Sequence, residues 1–376
     1  MLQLNKLSET AQKITLGWAP VPGAVGYRFQ SSTQAPKWSH TFDPSRSQVT
    51  FSKADWYKVE ALAVEDAGQY PGTTPSPGSW FGIADPWAGV PFGSRPEGPA
   101  TAPGGAIRLS GDLGGRKIGG FKITNRPPGV NVIAIEYAYN FTLEDIDFEN
   151  VPIGIYLYGC RDFGIRRLRA RNIFGPFYRG GIHSGNLVQA VNCDPPSFCE
   201  DWKLQQLDTV PTAPGTYDPN HPGYWGTEDC VSMFGTCHDW KVQRIALNGG
   251  AWQSWSGTGL LLGDDGRSNN LQLDQFVLVN PGRVGIGFHS SNCKVTNGRI
   301  WSDARRFNSQ VDGRQIESVT PIEVAGVQQI QLGNINSRFL NGSGAPARPM
   351  GSFTDLGGND WAASLNRDEL RAICRV

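Results

Sequence analysis

The stretch Gly154-Ile155-Tyr156-Leu157, followed after a short turn by Asp162-Phe163-Gly164-Ile165, decides the fold. Each half is a brief strand with apolar residues at alternate positions, and the second half opens on an acidic residue. The first half recurs as Ala106-Ile107-Arg108-Leu109, Ala134-Ile135-Glu136-Tyr137 and, in part, Gly181-Ile182-His183-Ser184. It returns as Cys230-Val231-Ser232-Met233, Gly259-Leu260-Leu261-Leu262, Gly285-Ile286-Gly287-Phe288 and Pro321-Ile322-Glu323-Val324. The second half recurs as Asn140-Phe141-Thr142-Leu143, Asp239-Trp240-Lys241-Val242, Asn270-Leu271-Gln272-Leu273 and Asn292-Cys293-Lys294-Val295. Asn and Asp tolerate left-handed backbone, which suits a sharp corner repeated in every turn of a coil. The aliphatic residues then point inward and stack, and the residues between them point outward.

Self-similarity of this kind marks a solenoid. The fold class it predicts is all-β, with a right-handed parallel β-helix over residues 104–345. About eight coils stacked at about 4.8 Å would give a rod about 40 Å long. A barrel of alternating strands and helices is excluded, because no long helical pattern separates the strands. The outward column of the first strand reads Arg108, Glu136, Tyr156, His183, Ser232, Leu261, Gly287, Glu323.

Upstream of the repeat the pattern changes. Ile14-Thr15-Leu16-Gly17-Trp18, Gly26-Tyr27-Arg28-Phe29-Gln30, Gln48-Val49-Thr50-Phe51 and Tyr57-Lys58-Val59-Glu60-Ala61-Leu62 are short strands of period two separated by turn residues. That is the pattern of an antiparallel sandwich over residues 1–72, with Trp18 and Tyr57 expected in its core. Residues 73–103 are rich in Pro and Gly and read as a linker. Their Trp80, Phe81, Trp87 and Phe92 predict that they pack across the end of the β-helix and cap its first coil, where an open sheet edge would be an aggregation hazard. The period breaks over about 185–227, an insertion holding Trp202, Tyr217, His221, Tyr224 and Trp225. Residues 346–376 form a C-terminal cap with a short amphipathic helix over residues 365–373, suited to capping or trimerisation.

Across 376 residues, 34 basic and 34 acidic side chains give a formal net charge of zero, which offers no general electrostatic case for nucleic acid. The start of the chain lacks the charged-then-apolar pattern of a signal peptide, and no 18-residue apolar run suggests membrane insertion. The seven cysteines include no CxxC pair, so neither a metal site nor a cofactor is expected. Cys193 and Cys199 are close enough in sequence for a bridge, although reduced thiols are the default without a secretion signal.

Two kinds of side chain can carry chemistry here. The acidic pairs Glu228-Asp229 and Asp264-Asp265 are candidates for acid and base in glycoside hydrolysis, or for proton abstraction from a uronic acid. The bland alternative is that they form turns. Tyr156, His183, Tyr224, Trp225, Trp252 and Trp255 are candidates for stacking on sugar rings along the groove of a β-helix. Their alternative is packing of loops onto the helix wall.

Two resemblances sharpen this reading. Glu228-Asp229-Cys230-Val231, then Gly257-Thr258-Gly259-Leu260-Leu261-Leu262-Gly263, then Gly266-Arg267-Ser268 resembles the polygalacturonase branch of the pectin-lyase-like superfamily. The resemblance covers about 50 residues and implies that Glu228 and Asp229 fall at the catalytic acids. It breaks where the family has histidine and this chain has Thr258, where Gly287-Phe288-His289 replaces an Arg-Ile-Lys motif, and upstream, where Asn-Thr-Asp is missing. The first 70 residues or so, including Thr41-Phe42-Asp43-Pro44-Ser45-Arg46-Ser47-Gln48-Val49-Thr50-Phe51, resemble the fibronectin type III-like start of minor tail proteins from phages of actinobacteria. This implies a virion protein of the distal tail, a homotrimer docked to other phage tail proteins and facing host cell-envelope polysaccharide. Adhesion is favoured over cleavage. The alternatives are a polysaccharide hydrolase or lyase with a degenerate motif, and a purely structural tail component.

Overall fold

The structure is a computed structural model that describes residues 4–19, 26–32, 39–41, 47–55, 57–62, 79–99, 106–127, 130–173, 177–178, 181–182, 185–195, 198–206, 227–249, 257–263, 266–303, 320–341 and 343–376. It divides into two compact units, Met1–Ser79 and Trp80–Val376.

Among the described residues the first unit has six strands: β1 (Asn5–Glu9), β2 (Lys13–Gly17), β3 (Gly26–Ser31), β4 (Ser39–Thr41), β5 (Gln48–Ser52) and β6 (Tyr57–Leu62). They form two antiparallel three-stranded sheets, in the orders β1-β2-β5 and β4-β3-β6. Alternation along β5 buries Val49 and Phe51 and leaves Gln48, Thr50 and Ser52 exposed, as expected of a half-buried strand. Both sheets feed one core of Leu16, Trp18, Tyr27, Val49, Phe51 and Val59, in which the rings of Trp18 and Tyr27 lie 5.1 Å apart. Tyr57 packs against Phe51 at 5.0 Å and remains half-buried at the margin.

The second unit is a parallel β-helix, with eight coils among the described residues. Coils 1 and 2 are continuous extended segments, Ile107–Thr124 and Asn131–Val151. Each later coil contributes two strands: Ile153–Tyr158 with Arg161–Ile173, Val188–Val191 with Phe198–Gln205, Val231–Phe234 with Lys241–Asn248, Thr258–Leu262 with Gln272–Val279, Val284–Phe288 with Lys294–Asp303, and Thr320–Val324 with Gln331–Leu340. One register column shows why the coils stack. It runs Ile107, Ile133, Ile155, Val188, Val231, Leu260, Ile286, Ile322, with every side chain almost fully buried. Burying each such side chain contributes about 1.5–3 kcal/mol.

The corners follow the expected chemistry. Asn140, Asp162, Asp239, Asn270 and Asn292, which open the second strand of their coils, have φ of 61°, 52°, 57°, 56° and 56°. A second left-handed column runs through Gly120, Asp145, Arg167, Asp201, Arg244, Gln275, Asn297 and Asn334. Where arginine occupies it, the side chain grips the carboxylate one coil earlier: Arg167 on Asp145 at 2.7 Å and Arg244 on Asp201 at 2.7 Å. Where Asn recurs, amides hydrogen-bond from coil to coil, as with Asn334 Nδ2 donating to Asn297 Oδ1 at 2.7 Å.

Several expectations need correction. In coil 2 the residue beside Arg108 and Tyr156 is Ala134, so Glu136 stands two places further along the strand. In coil 4 the ladder is carried by Val188–Val191, so Gln189 takes the column position expected for His183. Gly181–Ile182 instead forms a small antiparallel pair with Phe177–Tyr178. Coil 4 therefore occupies much of the stretch read as an insertion, and Trp202 is a fully buried core residue whose indole donates to the Ile165 carbonyl at 3.2 Å.

The linker aromatics also lie elsewhere than expected. Trp80 donates to Asp201 of coil 4 at 2.7 Å, Phe92 lies under Arg171 of coil 3 at 4.6 Å, and Gly93 donates to Asp147 of coil 2 at 2.9 Å. The segment is a strap running down one lateral face. Only its end reaches the first coil, where Glu97 bridges to Lys122 in parallel. The short helix α1 (Arg367–Ile373) lies on that lateral side too: Leu370, Ile373 and Cys374 share a core with Trp80, Trp87, Val277 and Trp301. The far end of the coil stack is covered by Met350, Thr354–Asp355 and Asp360, which pair with coil 8.

Cys193 and Cys199 are free buried thiols in different columns. Cys193 stacks between Cys160 and Cys237, its Sγ receiving the Cys160 amide at 3.4 Å, whereas Cys199 pairs in register with Ile165 and Val242. Burial pushes the Cys199 thiol up to about 12.

Candidate functional site

Of the residues singled out for chemistry, Asp264, Asp265, His183, Tyr224, Trp225, Trp252 and Trp255 lie outside those whose side chains are described. Glu228, Asp229 and Tyr156 can be placed.

Asp229 is 5% exposed, at the start of coil 5. Its Oδ1 accepts the backbone N–H of Thr258 at 2.7 Å and the Thr258 hydroxyl at 2.8 Å. Its carbonyl accepts the Asn186 amide at 3.0 Å, and that amide also donates to Ser232 Oγ at 3.1 Å. Asp229 thus ties coils 4, 5 and 6 together. Thr258, the position where the resembled motif has histidine, supplies both donors to that carboxylate oxygen. A carboxylate holding two such donors inside the wall is placed to brace the wall, whereas a general acid or base must reach a substrate proton. Glu228, next in sequence, is half-buried.

Tyr156 lies on coil 3 between Ala134 and Gln189 and is half-buried. It belongs to a group that the sequence did not disclose. Tyr158, two residues on and on the same face, pairs in register with Glu136 of coil 2. Tyr137 follows Glu136 and is 66% exposed, the most exposed large hydrophobic side chain among the described residues. The rings of Tyr137 and Tyr158 meet edge to face, 5.2 Å apart at 78°. Round the corner, Arg161 lies 5.0 Å over the ring of Tyr139.

The backbone under Tyr137 is unusual. Its φ is 52°, in the left-handed region that costs a residue with a side chain about 1–2 kcal/mol. The residues that follow Tyr137 in this corner column are Gly159, Asn192 and Gly235, types that adopt that region readily. Gly159 is needed at its place, since a Cβ there would stand 2.9 Å from Tyr137 Cδ1. The Tyr137 ring therefore rests on bare backbone of the next coil. Its phenol is raised in pKa first by its hydrogen bond with Tyr158, and among the further causes is the charge of Glu136. Tyr156 is raised first by burial and next by Glu136. Glu136 itself is exposed, in register with Tyr158 and next in sequence to Tyr137.

A different charge cluster occupies the strap side. Arg169 pairs with Asp147 through two bonds of 2.8 Å, and both are almost fully buried. Arg95 of the strap binds Asp147 at 2.8 Å and Asp145 at 2.9 Å. The bonds of Arg167 hold the Asp145 carboxyl below the usual carboxylate range. These groups neutralise one another and fasten the strap. Among the described residues, no group of three His, Cys, Asp or Glu side chains is arranged to hold a metal ion.

No family model matches the chain, and no curated protein matches it. Among solved structures, it is similar to a candidate glycosyl hydrolase from Parabacteroides merdae, with 12% identity and a TM-score of 0.25 over 62% of this chain and 81% of that one. It is also similar to the catalytic unit of a thermostable GH87 α-1,3-glucanase from Streptomyces thermodiastaticus, with 10% identity and a TM-score of 0.26 over 95% of this chain and 90% of that one. At these scores neither likeness carries an argument about activity. The class defined by the chain's own strand pairing is an all-β protein with a parallel β-helix.

Proposed function

We propose that this chain is a glycan-contacting β-helix that adheres rather than cleaves, carried on the distal tail of a phage and facing host cell-envelope polysaccharide. The observation that carries the choice of adhesion is Asp229. Asp229, one member of the candidate acid pair, is buried and takes two donors from Thr258 on one oxygen. What supports glycan contact is the tyrosine group on coils 2 and 3, in which the Tyr137 ring is exposed. The tail setting is supported by the resemblance of the first 70 or so residues to tail proteins. The strand orders β1-β2-β5 and β4-β3-β6 agree with a fibronectin-like sandwich whose role is docking to other tail proteins. A homotrimer in this reading would not use the apolar face of α1, because that face packs on its own coils.

The test is to incubate the purified chain with envelope polysaccharides and read retention and released fragments from one sample by mass spectrometry. Retention without fragments is expected. Soluble oligosaccharides would overturn adhesion in favour of a hydrolase, or of a lyase if they end in an unsaturated uronate. Neither retention nor release would leave a structural tail component.

A further inference from the structure

We infer that Tyr137, Tyr158 and Tyr156, gathered around Glu136 on coils 2 and 3, form a stacking platform for a neutral sugar residue of the glycan; the inference rests on the glycan-contacting reading above.

Three observations carry it. The first is the strained placement of Tyr137. A large ring stands on left-handed backbone where the residues following it in the column are Gly, Asn and Gly, and 66% of it faces solvent. Strain held at an exposed aromatic without a matching gain in burial is the pattern of a functional position. The second is the fit beneath it. Gly159 leaves room for the ring to lie on the next coil, and Tyr158 props it edge-on at 5.2 Å. The ring is therefore supported from beneath and from one side, which lowers the ordering cost of binding.

The third is charge and shape. The acidic group among the rings is Glu136, exposed and in register with Tyr158. Two cations lie nearby: Arg161 over the Tyr139 ring, and Arg108, which flanks Ala134 on the side away from Tyr156 and donates to the Asn131 carbonyl at 3.1 Å. A carboxylate accepts hydroxyl donors from a neutral sugar and repels uronate, sialate or phosphate-bearing residues. A cage for a quaternary ammonium needs rings parted widely enough to admit the cation. Tyr137 and Tyr158 touch each other instead, so they offer a surface. The aliphatic C–H face of a pyranose suits that surface, with its hydroxyls directed to Glu136 and the phenols.

The experiment is isothermal titration of the full chain with maltohexaose, cellohexaose, chitohexaose, hexagalacturonate and tetramethylammonium chloride, repeated for Tyr137→Gly and Tyr158→Ala. Glycine keeps the left-handed backbone, so in Tyr137→Gly relief of backbone strain offsets the lost contact with Tyr158. At least one neutral hexasaccharide should bind. Its affinity should fall at least tenfold in Tyr137→Gly while the melting temperature stays at or above that of the parent, a combination that a merely structural ring would not produce. If Tyr137→Gly and Tyr158→Ala both bind as the parent does, the platform is wrong and the broader glycan reading survives. Stronger binding of hexagalacturonate, or competition by tetramethylammonium, would overturn the assignment of a neutral sugar. If the parent binds none of these sugars and is not retained on envelope polysaccharide, both readings fail together.

Discussion

Coils 2 and 3 treat their two sides in opposite ways. On the strap side, Asp145, Asp147, Arg167, Arg169 and Arg95 pair with one another under cover of the segment from Trp80 to Glu97. On another corner, Tyr137 and Glu136 are exposed, with Tyr156 and Tyr158 half-buried beside them. One side satisfies its polar groups internally and so contributes to stability. The other leaves a strained ring exposed and so is available for contact. A β-helix can hold both on the same coils because successive residues of a strand face opposite ways, and because each corner re-aims the chain without disturbing the stacked interior.

The largest effect is expected on the strap side. Asp147→Ala strands Arg169 in the wall and should cost about 3–5 kcal/mol in urea denaturation, whereas Asp147→Leu with Arg169→Met should recover much of that loss. If the single variant costs less than about 1 kcal/mol, the buried pair is not what fastens the strap. Next comes the brace at the coil 5–6 junction. Thr258→Val removes a hydroxyl from a buried carboxylate and should lower stability by about 1.5–3 kcal/mol while leaving glycan retention intact. Loss of retention at unchanged stability would return Asp229 to the functional site.

On the open corner, the sign should reverse. Tyr137→Gly relieves about 1–2 kcal/mol of backbone strain and forfeits about 0.5–1.5 kcal/mol of contact with Tyr158. Thermal melting should therefore show no net destabilisation. The smallest effect is the pH dependence of the strap. The folded Asp145 carboxyl lies below its unfolded value, so its contribution is fully present above about pH 3.9 and is lost as pH falls through the lower folded value. Asp145→Asn should flatten the fall of melting temperature in that acid range, and an unchanged slope would remove this group from the explanation.

The solenoid was legible because its signals are local and chemical. Asn140, Asp162, Asp239, Asn270 and Asn292 each mark a corner, and all five take the left-handed conformation. Register was harder to read. The run Val132-Ile133-Ala134-Ile135 is apolar throughout, so the phase of coil 2 could slide by two residues without exposing anything costly. In coil 4, Gly181-Ile182 imitates the motif better than Val188-Gln189-Ala190-Val191, which actually carries it. The Asp229 environment needed the same kind of information, since Thr258 is distant in sequence and adjacent only through the coil stack. Tyr137 was hidden by propensity itself: nothing in a lone sequence places an aromatic on left-handed backbone. The strap followed no local rule either, because its partners are spread over four coils.

The strap has one consequence beyond stability. It meets the β-helix at coil 4, through Trp80, and leaves it at coil 1, through Glu97. A pull arriving along the chain before Trp80 would thus load the middle of the rod. The bonds to Asp201, Asp147 and Asp145 would share that load in shear, instead of the first coil peeling away alone. Such a joint sets how much tension the chain before Trp80 can carry before the first coils come apart.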